Sequence, residues 1–262
     1  MKYAPAMKLS WPQIALLALA GAIAALVVGV QALQSRAADA PCRMREFEGS
    51  QFIVCVYDAQ RDELRLASRA SGGSYLRGFT ALADELGREA RRVRFAMNAG
   101  MYNDAGAPIG LYIADGEQQH VLRLTDGPGN FHMKPNGVFW LDAAGTPHVT
   151  PSEAYAAAPP PARWATQSGP MLVIDGALHP RIQHDGPSRN VRNGVGVSDG
   201  RHAYFVISAG FVSFGRFARF FRDELGCRNA LFLDGAVSSL WAPSLSRRDD
   251  DHAIGPMVVV LR

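Results

Sequence analysis

One short segment constrains this chain more than any other. Asn229-Ala230-Leu231-Phe232-Leu233 is an apolar run that stops at a carboxylate and a glycine, Asp234-Gly235. A run of this length, closed by a turn signal, reads as a strand buried on both faces. Such a strand delivers a charged group to the rim of a sheet, where pockets form. Five other Asp-Gly pairs, at Asp115, Asp126, Asp175, Asp185 and Asp199, read as turns, because aspartate tolerates turn geometry and glycine supplies positive φ. Asp234 differs in that no partner strand follows it in immediate register. It is either a strand-ending turn or a carboxylate available as acid, base or nucleophile.

The rest of the chain repeats short strands between turns. Gln51–Tyr57 and Leu64–Ala67 read as a strand pair, and Val93–Met97 as a strand running into Asn98-Ala99-Gly100. Leu111–Ala114 and His120–Leu124 flank Asp115-Gly116 as a hairpin, and Gly137–Leu141 with Pro147–Thr150 forms a second. Met171–Ile174, Val195–Ser198, His202–Ser208 and Met257–Leu261 complete the set. Two helices are expected. Phe79–Leu86 is one. The other, Ser213–Leu225, places Phe214, Phe217, Ala218, Phe221 and Leu225 on one face, with Ser213 as N-cap and Gly226 as stop. Many strands and few helices imply an α+β domain with a mixed, largely antiparallel sheet and a few packed helices. With 48% apolar residues a sizeable core can be buried. No linker divides residues 37–262, which read as a single domain after an N-terminal apolar segment.

That segment, Ile14 to Val30, is wholly apolar apart from glycine and follows Lys2 and Lys8. Residues 1–36 read as a secretory signal or a membrane anchor, spanning through residues 14–33 if uncleaved. Ala38-Asp39-Ala40 resembles a cleavage site, although Pro41 argues against cutting there. Either way the lysines keep the N-terminus inside, so the domain is expected in the periplasm or another extracytoplasmic space, anchored to the inner membrane if the segment stays. Lys2, Lys8 and Arg36 are the only charges in these 36 positions. Setting them aside leaves 24 basic and 24 acidic residues, a neutral domain with no footprint for nucleic acid. In an oxidising compartment Cys42 and Cys55 can form a disulfide, and Cys227 reads as a buried thiol.

Four further segments carry polar groups suited to a site. Asn98 offers a donor and an acceptor, and Gly100 lets backbone approach a ligand. His132, Lys134 and Asn136 share one loop, where a cation and amides suit an anionic or glycosidic ligand. Ser168 lies in Thr166-Gln167-Ser168-Gly169-Pro170. Arg192 and Asn193 lead into Gly194-Val195-Gly196-Val197, where arginine can hold a phosphate or carboxylate in bidentate fashion. Each also has a bland reading as an ordinary turn, loop or surface ion pair. No G-x-S-x-G elbow, P-loop or H-E-x-x-H occurs.

"FAMNAGMY", "NFHMKPNGVFW", "ATQSGPMLVIDG", "VRNGVGVSDG" and "CRNALFLDGAVSSLW" resemble, in this order, the phosphodiester glycosidase domain family. This is the domain of the lysosomal mannose-6-phosphate uncovering enzyme, and the nearer likeness is to the bacterial envelope branch of formerly unknown function. The resemblance runs from about Cys42 to Arg262 and implies hydrolysis of a sugar-1-phosphodiester. Carried over by motif, Asn98 and Gly100 match the Asn-Ala-Gly turn. Arg192 matches the arginine before the glycine-bearing strand. Asp234, Gly235 and Ser238 match Leu-Asp-Gly-Gly-x-Ser, with Ala236 where the uncovering enzyme has a second glycine.

The expected roles follow from that chemistry. Asp234 is nucleophile or base, and Arg192, then Lys134, stabilises the departing phosphate. Asn98, Gly100, Asn136, Ser168, Asn193, Gly235 and Ser238 line the substrate. The substrate expected is a phosphate-linked glycan or glycolipid. No cofactor is expected. A metal-assisted cleavage using Asp249–His252 is a weaker alternative that leaves a divalent cation open. The main rival is a non-catalytic envelope module that binds glycan or glycolipid, with aromatics such as Trp140 and Trp241 stacking on it.

Overall fold

The computed structural model describes residues 40–234 and 237–262. The apolar segment within 1–36, Gly235 and Ala236 lie outside the described residues. Among the described residues no helix is long and apolar enough to cross a membrane.

The strands form three main sheets in place of one mixed sheet, and every recorded pairing within them is antiparallel. The first sheet has seven strands in the order Cys42–Phe47, Ser50–Asp58, His202–Ser208, Asn193–Val197, Asn229–Phe232, Met171–Ile174 and Ala177–Leu178. The second runs Arg247–Arg248, Leu240–Ala242, Val93–Asn98, Met257–Leu261 and Glu63–Ala67. The third runs Glu117–His120, Tyr112–Ala114, Trp164–Ser168, Gly137–Leu141 and Pro147–Pro151. A two-strand ribbon joins Arg189–Asn190 to Val212–Ser213. The fold is therefore α+β with antiparallel sheets.

Alternation along the strands explains why so many of them read as continuous apolar runs. Ile53, Cys55, Tyr57, Phe95, Phe139, Phe205, Leu231, Val258 and Val260 face one central core shared by all three sheets. Their neighbours point outward, yet each outer face is covered by a helix. Phe52, Val54, Ala230 and Phe232 lie with α3 (Phe214–Arg219). Ala96, Met257, Val259 and Leu261 lie with α1 (Phe79–Leu86). Val138, Ala165 and Trp140 lie with Tyr155 of α2 (Ser152–Ala157). Both faces of a strand are thus apolar, as in sheets buried on both sides.

Three sequence expectations change in detail. Ser50–Asp58 and Glu63–Ala67 are not partners: the first lies between Cys42–Phe47 and His202–Ser208, the second on Met257–Leu261. The intervening turn, in which Asp62 N donates to Asp58 O and Asp58 N to the Asp62 carboxylate, carries the chain from one sheet to another. The Asp115-Gly116 hairpin forms, but its second strand ends at His120, because the backbone of Arg123 bonds the Gln167 side chain instead of a ladder. The long helix splits. Ser213 caps α3 through Arg216 N (3.1 Å), but Phe220–Glu224 continues as a π-helical turn, with Leu225 N on Phe220 O. The wider turn carries Phe220 onto Phe52, ring centroids 4.1 Å apart. Cys42 and Cys55 are register partners joined by a disulfide, and Cys227 is a buried thiol.

Candidate active site

The three sheets meet at one corner through asparagine side chains. Asn98 ends its strand in the second sheet, and Asn193 begins its strand in the first. Both are fully buried. Asn193 Nδ2 donates to Asn98 Oδ1 (2.9 Å) and Asn98 O (3.1 Å), and its Oδ1 accepts from Asp234 N (2.8 Å). Asn98 Oδ1 also accepts from Ser239 N (2.9 Å), and its Nδ2 donates to Val237 O (2.7 Å). Ser168, at the end of its strand in the third sheet, donates its hydroxyl to Leu233 O. Every amide atom of this pair is satisfied, as burial demands. The network fixes the residues on both sides of Asp234.

Asp234 itself is 7% exposed. Its charge reaches the Tyr102 phenol, whose pKa is pushed up to about 12, first by burial and then by Asp234. Tyr102 donates to Ala253 O and packs against Gly255, where a Cβ would fall 2.2 Å from the ring. Tyr102 is the site residue that motif reading passed over, although it closes the Asn98–Tyr102 segment. Ser238 bridges two carbonyls, Val191 O (3.2 Å) and Asp234 O (3.1 Å). Gly100 donates to Thr166 Oγ1, and a Cβ there would sit 2.3 Å from Gln167 O. Only glycine lets the chain pass so close to the third sheet.

Arg192 is adjacent in sequence, but its side chain leaves the corner. It is 1% exposed and lies over the Phe214 ring at 3.6 Å. Nε donates to Val212 O and Nη2 to Ser188 O and Oγ. Among the described residues no carboxylate pairs with it, and burial lowers its pKa to about 10. It remains a cation at neutral pH, held by carbonyl dipoles and aromatic faces. Lys134 sits in the neighbouring loop, where it pairs with Asp126 (3.0 Å) and Glu153 (3.7 Å) and donates to Leu124 O. Asn136 is buried, donates to Phe131 O, and packs against Gly169, next to Ser168. The structure thus gathers Asn98, Gly100, Ser168, Asn193, Asp234 and Ser238 at one corner, with Asn136 packed beside it. It places Lys134 in an ion-pair network and Arg192 beneath the first sheet.

The acidic run near the C-terminus is structural. Asp250 accepts from Phe79 N, Thr80 N and Thr80 Oγ1, capping α1. Asp249 accepts from Leu240 N and Arg247. Among the described residues no group of three His, Cys, Asp or Glu side chains converges as a metal site.

Residues 91–260, which contain this whole corner, match the phosphodiester glycosidase family. The uncharacterized protein YigE of Escherichia coli strain K12 is 37% identical over 150 residues, 57% of this chain and 58% of that protein. The match thus spans little more than half of that relative's length. Two solved structures share the fold. The zebrafish N-acetylglucosamine-1-phosphodiester alpha-N-acetylglucosaminidase catalytic domain, auto-inhibited by its pro-peptide, aligns with a TM-score of 0.59 at 15% identity, over 84% of this chain and 81% of that one. A hypothetical protein from Synechocystis aligns with a TM-score of 0.54 at 16% identity, over 84% and 61%. The family match and the shared architecture agree: this chain belongs to the phosphodiester glycosidase family.

Proposed function

We propose that the chain hydrolyses a sugar-1-phosphodiester outside the cytoplasm. The observation that carries this reading is the placement of Asp234, whose backbone is held at the meeting point of three sheets by an amide network that itself carries no charge. The zebrafish relative is named for removing N-acetylglucosamine from a 1-phosphodiester, which supports the same bond as target here. The bond from sugar C1 to the phosphate oxygen breaks with its electron pair on that oxygen, hydroxyl from water ends on C1, and the phosphate monoester departs while the remaining water proton passes to it or to solvent. That leaving group needs little proton assistance, so charge stabilisation matters more than a strong general acid.

Asp234 acts as nucleophile or as base toward water. Asn98, Asn193 and Ser168 position it, while Gly100, Asn136 and Ser238 shape the substrate's surroundings. The buried Arg192 supplies positive potential for the phosphate from beneath the sheet, whereas the charge of Lys134 is taken up by Asp126 and Glu153. The Cys42–Cys55 disulfide supports an oxidising, extracytoplasmic compartment, reached by way of residues 1–36.

The test is turnover. The native chain and an Asp234→Asn variant, both checked for folding by circular dichroism, are incubated with a panel of sugar-1-phosphodiesters and followed by mass spectrometry. Free sugar from the native protein alone supports the proposal. Absence of turnover across the panel with both proteins folded moves the assignment to a non-catalytic glycan- or glycolipid-binding module.

A further inference from the structure

A cleft of about 380 Å³ opens beside the Asp234 corner, within the size range of small-ligand sites. One wall is Val237–Ser239, the segment that leads from Asp234 toward the strand Leu240–Ala242. His252 contributes to the cleft and neighbours Ala253, whose carbonyl holds Tyr102. Phe211 lines the cleft while remaining 73% exposed, so its ring stands on the rim. An isolated exposed phenylalanine needs no explanation. One standing over a polar cleft beside a candidate carboxylate does.

Charge decides what the cleft accepts. Among the described residues Arg247 is the only arginine or lysine lining it, and its guanidinium is committed to Asp249 through Nε (3.0 Å) and Nη2 (2.7 Å). Asp251 adds a carboxylate. A phosphate brought here would meet the Asp251 carboxylate and an Arg247–Asp249 ion pair and, among the described residues, no arginine or lysine free of a carboxylate. A neutral hexose fits better. Its hydroxyls have the Asn190 amide, the Ser238 hydroxyl and the Asp251 carboxylate as partners, and its apolar face has the Phe211 ring.

We propose that this cleft is the subsite for the neutral sugar ring, with Phe211 as its stacking platform and the phosphate directed away from it. The assignment rests on the glycosidase reading for its biological meaning, but its test does not require turnover. Binding of N-acetylglucosamine, glucose, mannose and galactose to the full chain is measured by calorimetry, with inorganic phosphate as competitor. The same is done with Phe211→Ala and Phe211→Trp.

At least one of the four sugars is expected to bind. Phe211→Ala is expected to weaken it about tenfold, the scale of one aromatic contact, and Phe211→Trp to preserve it. Phosphate is expected not to compete. If a phosphodiester is turned over, Phe211→Ala is expected to raise KM about tenfold while leaving kcat within about threefold. The assignment is overturned if none of the sugars binds, if Phe211→Ala leaves affinity unchanged, or if phosphate displaces the sugar. Phe211-dependent binding without turnover sinks the glycosidase reading alone. Turnover with an unchanged KM in Phe211→Ala sinks the subsite alone.

Discussion

Replacing Asn193 by alanine is the sharpest probe of the corner. The side chain is fully buried and makes three hydrogen bonds, two to Asn98 and one from Asp234 N. The variant leaves Asp234 N–H without that acceptor and removes the donor shared by Asn98 O and Oδ1. Asn98 Oδ1 keeps Ser239 N, so its loss is partial. An unsatisfied buried polar group costs roughly 1–3 kcal/mol. With Asp234 N–H and Asn98 O each losing this partner and Asn98 Oδ1 losing one of two, a destabilisation of about 3 kcal/mol is expected, near the lower end of that range for each group. For a domain of this size that corresponds to a fall in Tm of roughly 6–12 °C. The assay is urea unfolding followed by tryptophan fluorescence, without reductant so that Cys42–Cys55 stays closed. Asn98→Ala and the double variant complete a cycle. The two asparagines are expected to couple by about 1–2 kcal/mol, since each removes the other's partner. A loss for Asn193→Ala under about 1 kcal/mol, or single-variant losses that simply add, would refute the claim that this amide pair ties the sheets together.

Other parts of the structure give independent expectations. Gly100→Ala places a Cβ 2.3 Å from Gln167 O and 2.5 Å from Thr166 Oγ1, so a thermal melt is expected to show a loss of about 2–3 kcal/mol, the upper range for overpacking; an unchanged melt contradicts the close approach. The Tyr102 phenol titrates near 12 partly because of Asp234, so Asp234→Asn is expected to lower that pKa in ultraviolet difference titrations against Tyr102→Phe. Asp58 is held at about 2, chiefly by its hydrogen bonds to Arg201. The folded pKa lies below the unfolded value, so this stability is complete above about pH 4 and is lost as pH falls toward 2. Screening at the partly exposed Arg201 limits it to about 1 kcal/mol, and Arg201→Ala is expected to flatten the acid limb of stability over that window. Asp250→Ala removes the cap of α1 and is expected to cost about 1 kcal/mol, read as faster hydrogen exchange over Phe79–Leu86.

What the sequence discloses is set by the range of each interaction. The strands His202–Ser208, Met171–Ile174 and Met257–Leu261 are legible because their apolar runs are closed by local breakers. The Ser213 cap is legible for the same reason, since donor and acceptor lie three residues apart. Pairing is another matter. Ser50–Asp58 has its second partner at His202–Ser208, and nothing between the two announces it. Asp250 looks like one member of a solvated acidic run, because the helix it caps begins 171 positions earlier. Asn98 and Asn193 stand out as polar residues at strand ends. That one carbonyl oxygen of Asn98 receives donors from Asn193 and Ser239 depends on three distant segments meeting. Arg192 shows the limit most clearly. Its chemistry suggests an open anion site, yet bonds to Val212 O and Ser188 hold its guanidinium over the Phe214 ring, away from the corner that Asn193 enters.

The use of amides at this corner has a physical logic. A charged pair knitting Asn98 to Asn193 would carry a desolvation cost and would compete for Asp234. Two asparagines provide both donors and acceptors with no net charge, so they fix the geometry without neutralising the carboxylate. The cation is kept close in sequence but on another face, where carbonyls of Val212 and Ser188 and the Phe214 ring hold it without a carboxylate partner. Positive potential therefore persists beneath the corner, where carbonyls and an aromatic ring hold Arg192. On the proposed reading, that separation lets a carboxylate and a substrate phosphate share one corner. On the same reading, the cleft beside Ser238, with Asp251 and the Arg247–Asp249 pair in its lining, suits the uncharged end of such a substrate.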